Sequence, residues 1–285
     1  MKHEVDHARH DRAHCLAPGL FRSLLKRGRR DKLDVTYKFG DSESIRFVGF
    51  EELGADDMRF LQGIVALAGP SGVLLTPCPK TNTGRQLRLF LDPKWEAIEQ
   101  DGLVVRESMS KLLSEVGMTD GGENIKALKA SLLRMSNVTI LVTKGQKQAS
   151  FRLLSYAFDE SNGSLWVALN PRIADAVLGR RPHAHIDMGE VRSLRTDPAR
   201  LIHQKLCGWI DPGKSGRVDI DTLCSYVWPD PSGNENTLKK RHRKVRGALT
   251  ELVKIGWKVN EYVKDRWQIG RPPRRCSRSN GTQLP

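Results

Sequence analysis

Hydrophobic positions recur along this chain at helical and at alternating spacings, and the two patterns divide it into a succession of elements. Met58, Leu61, Ile64, Val65 and Leu67-Ala68 repeat at helical spacing behind Asp56 or Asp57, either of which can cap the helix, until Gly69-Pro70 stops it. Ser108 to Val116 predicts a second helix, with Met109, Leu112, Leu113 and Val116 inward and Gly117 as terminator. After the Gly121-Gly122 turn, Ile125, Leu128, Leu132 and Met135 mark a third. Extended stretches are expected at Leu33–Tyr37 and Ile45–Val48, a short hairpin around Gly40-Asp41, and at Leu87–Leu91. Val138–Thr143 and Ser150–Tyr156 predict a hairpin turning at Lys144–Lys147, and Leu165–Leu169 a further strand.

The second half repeats the order. Leu201, Ile202, Leu206 and Trp209 define a helix over Ala199–Ile210, stopped by Asp211-Pro212-Gly213. Ile220–Val227 is a shorter helix capped by Asp219 or Asp221, and Asn236–Ile255 a long one with Leu238, Val245, Leu249 and Leu252 on one stripe. Trp257–Val263 and Arg266–Ile269, joined at Lys264-Asp265, complete a hairpin. Helix, helix, helix, hairpin thus appears twice, which is the plan of a winged helix. The expected fold is α+β: two tandem winged-helix domains, helix-turn-helix plus β-hairpin, behind a short N-terminal arm. The divisions are an arm with a basic segment over 1–40, a first domain over 41–180, a second over 181–272, and a basic tail over 273–285. The linker is placed at Gly179-Arg180-Arg181-Pro182.

Charge sharpens this picture. The formal net charge is +14, and from Asn236 to Pro285 there are 14 Lys and Arg against Glu251, Glu261 and Asp265. That segment alone carries 14 − 3 = +11, leaving +3 for the rest, so a polyanion is expected at the C-terminal domain first. On the long helix, the wheel sets Lys240, Arg243 and Gly247 opposite the apolar stripe, flanked by Lys239 and Lys244, with Arg246 in the same basic run. A major groove admits one helix, where Arg or Lys can hydrogen-bond guanine O6 and N7 while neighbouring cations neutralise phosphates. The bland alternative, a solvated basic face, is weakened by six basic residues within Lys239–Arg246 at the reading-helix position. Gly247 costs a helix interior about 1 kcal/mol against Ala, and its bare backbone can let the helix lie close to DNA or simply be neutral.

In the first half the matching helix is expected to present Lys126, Ala127, Ala130 and Arg134 outward, a weakly basic face for DNA or for a protein contact. The turns at Lys144–Lys147 and Lys264–Arg266 are expected as wings touching phosphate or a minor groove, or as plain solvated tips.

No catalytic arrangement emerges. A G-x-x-x-x-G-K-[ST] loop is missing, which disfavours an ATP-driven helicase, and Tyr37, Tyr156, Tyr226 and Tyr262 have no neighbouring His pair for strand nicking. The five cysteines are scattered and odd in number, so neither a disulfide framework nor a zinc knuckle is expected. His3, His7, His10 and His14 raise a metal question, but no second ligand cluster completes a site, and neither a metal nor a cofactor is expected. With no apolar run near the roughly 20 residues that span a bilayer, and none at the start, the expectation is a cytoplasmic protein without a membrane partner.

Several stretches resemble the RepC iteron-binding replication initiators of broad-host-range IncQ-type plasmids. They are His10–Arg22 (HDRAHCLAPGLFR), Lys32–Tyr37 (KLDVTY), Leu53–Asp57 (LGADD), Gly84–Leu91 (GRQLRLFL), Phe151–Ser155 (FRLLS), Leu206–Lys214 (LCGWIDPGK) and Asp221–Cys224 (DTLC), in one order from about residue 7 to 272. The sequence departs from that family over Pro229–Glu235 and beyond Pro272. With no catalytic arrangement in the sequence, no enzyme activity is expected, and the resemblance implies a protein that binds direct repeats in double-stranded origin DNA and helps open adjacent A·T-rich DNA. It also implies loading of a plasmid-encoded helicase and primase, and a two-winged-helix chain that can form a homodimer. Two rivals remain open at this stage, a winged-helix transcriptional repressor and a DNA nicking or priming enzyme.

Overall fold

A computed structural model describes residues 3, 5–24, 28–39, 42–230 and 233–274. The Gly40-Asp41 turn, Lys26-Arg27 of the basic run, Cys276 and residues 275–285 of the tail lie outside the described residues.

The fold is mixed α+β, and one topology occurs twice. In the second half, helix Asp197–Trp209 is followed by strand Ser215–Asp219, helices Ile220–Val227 and Glu235–Lys254, and strands Lys258–Val263 and Arg266–Gly270. The last strand lies between the other two in an antiparallel sheet. In the first half, helix Ala55–Ser71, strand Gly102–Ser108, helices Met109–Glu115 and Gly122–Ser136, and strands Leu154–Asp159 and Ser164–Leu169 follow the same order. There too the last strand pairs with both of the others. Side-chain caps start the helices where the sequence offers an acceptor: Ser108 accepts from Lys111 N, Asp219 from Thr222 N and Asn234 from Thr237 N. Ser215–Asp219 escaped the sequence reading because Val218 is its only buried residue.

The repeat changes which hairpin corresponds to which. Thr139–Lys144 and Lys147–Arg152 do pair, as expected, but as an insertion between the third helix and the equivalent strands. They join a five-stranded sheet with Leu33–Phe39, Glu43–Gly49 and Lys94–Trp95. The expected second hairpin strand, Ser150–Tyr156, is therefore cut in two: residues to Arg152 lie in this sheet, and Leu154 begins the next. The stretch Leu87–Leu91, expected extended, is the end of helix Asn82–Leu91, capped by Thr81. Its inward residues are Leu87 and Leu91, four apart, whereas Leu89 and Phe90 are exposed; so short an apolar run carries no period of its own.

The N-terminal segment, expected as an arm, is built into the body over its described residues. His7–Asp11 pairs antiparallel with His183–Asp187, immediately beyond the expected linker, and helix Arg12–Leu16 packs on Asp197–Trp209. The alternation of charged and small residues that looked mobile is strand alternation: His7 and Arg9 face out while Ala8 and His10 are buried. Asp11 is buried too, and its carboxylate receives His14 Nδ1 (2.8 Å), Arg172 Nε (3.2 Å) and Arg181 Nε (3.4 Å). Burial alone would raise its pKa, but the His14 hydrogen bond and the two guanidinium groups hold it far below the ordinary 3.8.

One apolar core runs through both halves, from Val5 to Ile269, and Gln62 Nε2 donates to Gln204 Oε1 across it (2.7 Å). Gly63 allows a close approach inside it, since a Cβ there would sit 2.4 Å from Val116 Cγ1.

Three buried histidines set opposite pH limbs. Burial lowers His10 to about 4 and also lowers His14, so both fold neutral. The unfolded chain takes up those protons below about 6.5, which removes stability as pH falls from there towards 4. His203 is the reverse: burial would lower it, but Cys207 and Glu190, 2.7 Å away, hold it up to about 10. Its stabilisation is complete below the unfolded value near 6.5 and is lost as pH rises towards 10. Urea midpoints should therefore peak near neutrality and fall on both sides, with His203→Gln flattening the alkaline limb; a wild-type midpoint level from pH 5 to pH 9.5 would contradict this.

Candidate nucleic-acid interface

Helix Glu235–Lys254 is anchored in the core only by its second half. Its buried residues are Val245, Ala248, Leu249 and Leu252, and none lies between Glu235 and Lys244. Leu238, expected in the core stripe, is 40% exposed for this reason. At 1.5 Å per residue, about 15 Å of helix thus lies outside the core. Lys239, Lys240, Arg243 and Lys244 are exposed on it, and Lys239, Lys240 and Arg243 line one depression with Asn236. Lys244 and Gly247 turn towards a neighbouring groove beside Trp228.

Local contacts hold this cationic rod. Asn234 caps it, Glu235 pairs with Lys239 at 2.7 Å, and His242 Nε2 meets Asp221 at 3.2 Å. Arg241, which the wheel did not single out, donates to Asp230 O (3.1 Å), and its guanidinium lies over the Trp228 ring at 5.5 Å. The Lys244 ammonium approaches the same ring at 5.8 Å. No periodicity reveals Trp228, because it sits in a loop before the helix; the only signal was an aromatic residue upstream of a basic run.

The Lys264–Arg266 hairpin tip joins this site. Asp265 adopts a left-handed conformation (φ 62°), its carboxylate contacts Arg246 and its carbonyl accepts from Ile220 N (3.0 Å). Lys264 and Arg266 flank it, exposed. Arg246 thus braces the tip against the helix.

The first-half residues are arranged differently. On helix Gly122–Ser136, Lys126 is exposed and Ala130 half-buried. Arg134, expected outward, bonds Asp57 Oδ1 at 2.8 Å, where the buried Asp57 also receives Ser131, Arg30 and Gly54 N. A buried carboxylate demands a cation, and that long-range demand overrides the wheel. Lys144 and Lys147 are exposed, but on the inserted hairpin, with Lys147 3.5 Å from Glu96. The tip topologically equivalent to Lys264–Arg266 is the turn between Asp159 and Ser164, which carries Asp159 and Glu160 and has no cation of its own.

The N-terminal histidines do not gather: His3 lies by Glu115, His7 stacks on His185, and His10 and His14 are buried. The group of metal-ligating types found among the described residues is Glu190, His203 and Cys207, inside the core, where Glu190 also accepts from Trp257 Nε1 (3.1 Å).

The sequence matches the replication protein C (RepC) family over residues 2–273. No curated protein matches it. Among solved structures, the fold is similar to a selenomethionine form of domains 2 and 3 of RctB, with TM-score 0.54 and 12% identity over 93% of this chain and 99% of that one. A second RctB structure of domains 2–3 gives TM-score 0.52 and 12% identity over 90% and 94%.

A Cβ at Gly247 would meet nothing within 4 Å. Gly247→Ala should therefore raise unfolding stability by about 0.5–1 kcal/mol in urea titration, the helix-propensity gain alone; a lowered midpoint would mean that the helix is not held as described.

Proposed function

The chain belongs to the replication protein C family, and from that membership we propose that it initiates plasmid replication by binding direct repeats in double-stranded origin DNA. The observation that carries this reading is the cation-covered first half of helix Glu235–Lys254, which buries no residue in the core. Each half is read as a winged helix, with Glu235–Lys254 and Gly122–Ser136 as the two reading helices. The first enters a major groove, where Arg243 and Lys240 reach base edges and Lys239, Lys244 and Arg246 stay near phosphates. Lys264 and Arg266 hold the adjoining backbone. Lys126 and Ala130 present a weaker second contact.

Binding both halves to one face of the duplex strains it and favours opening of adjacent A·T-rich DNA, where a plasmid-encoded helicase and primase then load. The chain acts as a monomer or homodimer by contact alone. Supporting this, Cys207, His203 and Glu190, which have the residue types of a nucleophile, base and orienting acid, form no relay, since Cys207 and Glu190 both meet His203 Nε2.

The test is a gel-shift titration of duplex carrying the origin repeat against a scrambled duplex. Wild type should prefer the repeat, and Arg243→Ala or Lys240→Ala should each cost that preference about 1–3 kcal/mol. Equal wild-type affinity for both duplexes would overturn the reading. A footprint on a single palindrome would favour a repressor, and a nicked or extended strand with Mg²⁺ would favour an enzyme.

A further inference from the structure

A second cationic surface lies away from the basic helix, on the two-stranded ribbon that joins the N-terminal segment to the second half. In the register of His7–Asp11 with His183–Asp187, Arg9 faces His185 and His7 faces Asp187. The inner side of the ribbon is buried through Ala8, His10, Ala184 and Ile186, so His7, Arg9, His183 and His185 share the outer side. His7 and His185 stack at 4.7 Å. Beside them opens a crevice of about 440 Å³ lined by Arg12, Arg180, Arg181, His183, His185 and Arg274, with Asp211 its only acid. Gly179, at φ 73°, rims it, and Arg9 Nη1 would lie 3.7 Å from a Cβ there.

The charges are only partly used. Arg12 pairs with Asp211 (2.5 Å), Arg181 with Asp11 (3.4 Å) and Arg180 with Asp101 (3.5 Å). Arg9 and Arg274 have no acidic partner among the described residues, although both are exposed at the crevice or its rim. We infer that this crevice is a phosphate-binding site. Forked guanidinium donors from several segments suit the oxygens of a phosphate group, and an open crevice admits one borne on a larger molecule as well as a free one. The histidines agree with this chemistry. Burial, together with the neighbouring arginines, lowers His7 and His183, and burial, His7 and the arginines lower His185 to about 4. Asp6 and Asp187 oppose this at His7. Local positive potential of that kind is relieved by an anion.

Two sources supply the same chemistry, a phosphodiester of bound duplex or a free phosphate, and two arms on the full chain separate them. In the first, histidine NMR titrations are run in inorganic phosphate and in chloride at equal ionic strength. Phosphate should raise the His183 and His185 midpoints in wild type and leave those of Arg9→Gln/Arg274→Gln unmoved. In the second, which rests on the proposed function, the salt dependence of duplex binding is compared between wild type and that double variant. A phosphodiester contact would lower the slope of log K against log salt by about 2, with the repeat-to-scrambled ratio unchanged. Either response supports the site and names its source. Unmoved histidines together with an unchanged slope would overturn it. Should the chain bind no duplex at all, the proposed function falls and the histidine arm still decides the crevice. Neither arginine has an acidic partner among the described residues, so the double variant breaks no ion pair seen there.

Discussion

A carboxylate sealed from water has to be matched by cations and hydrogen-bond donors, and Asp11 is matched from three separate parts of the chain. His14 comes from the following turn, Arg172 from helix Pro171–Val177, and Arg181 from the turn leading into His183–Asp187. Stripping one partner from a buried ion group typically costs about 3–5 kcal/mol, because the remaining charge is left uncompensated. That cost keeps the ribbon closed, and the ribbon crosses from the N-terminal segment to the start of the second half. Arg172 extends the cluster to Glu43 at 3.2 Å and lies over Phe39, so the five-stranded sheet is fastened to the same point. The second such centre, Asp57, fixes the Gly122–Ser136 helix against Ala55–Ser71.

This frame reaches the basic helix through the N-terminal segment. Arg22 bonds Glu52 at 2.5 Å and Asp230 at 2.8 Å, and Ser23 N donates to Val227 O at 2.9 Å. The loop carrying Trp228 and Asp230 is thus tied to the first half, and Arg241 is tied to that loop. The first half of the helix, which buries no residue in the core, takes its direction from these contacts. In the proposed DNA-reading role such preorganisation is a gain, since ordering the helix on binding would subtract from affinity.

What the sequence made legible follows from how local each signal is. Helices Ile220–Val227 and Glu235–Lys254 were readable almost to the residue, because a cap such as Asp219 lies within one turn of what it caps and the apolar stripe of the longer helix repeats every turn. The cation run on the latter needed only counting, and the family emerged from seven quoted stretches. Pairing of His7 with Asp187 spans most of the chain and leaves no local trace beyond alternation. The same holds for Arg134, whose direction is dictated by a carboxylate 77 residues away. The hairpin at Lys144–Lys147 was real but stood one hairpin early, and strand order, which sequence does not print, separates an insertion from its neighbour. Leu238 obeyed the helical period and still lies outside the core, because only the second half of the helix packs there.

The most direct measurement is phosphate-ethylation interference on a duplex carrying one origin repeat. The proposal that both halves read DNA predicts two groups of blocking phosphates on one face, about one helical turn, or roughly 10 base pairs, apart. A single group, contacted by the C-terminal half alone, would contradict the claim that both halves of this chain read DNA.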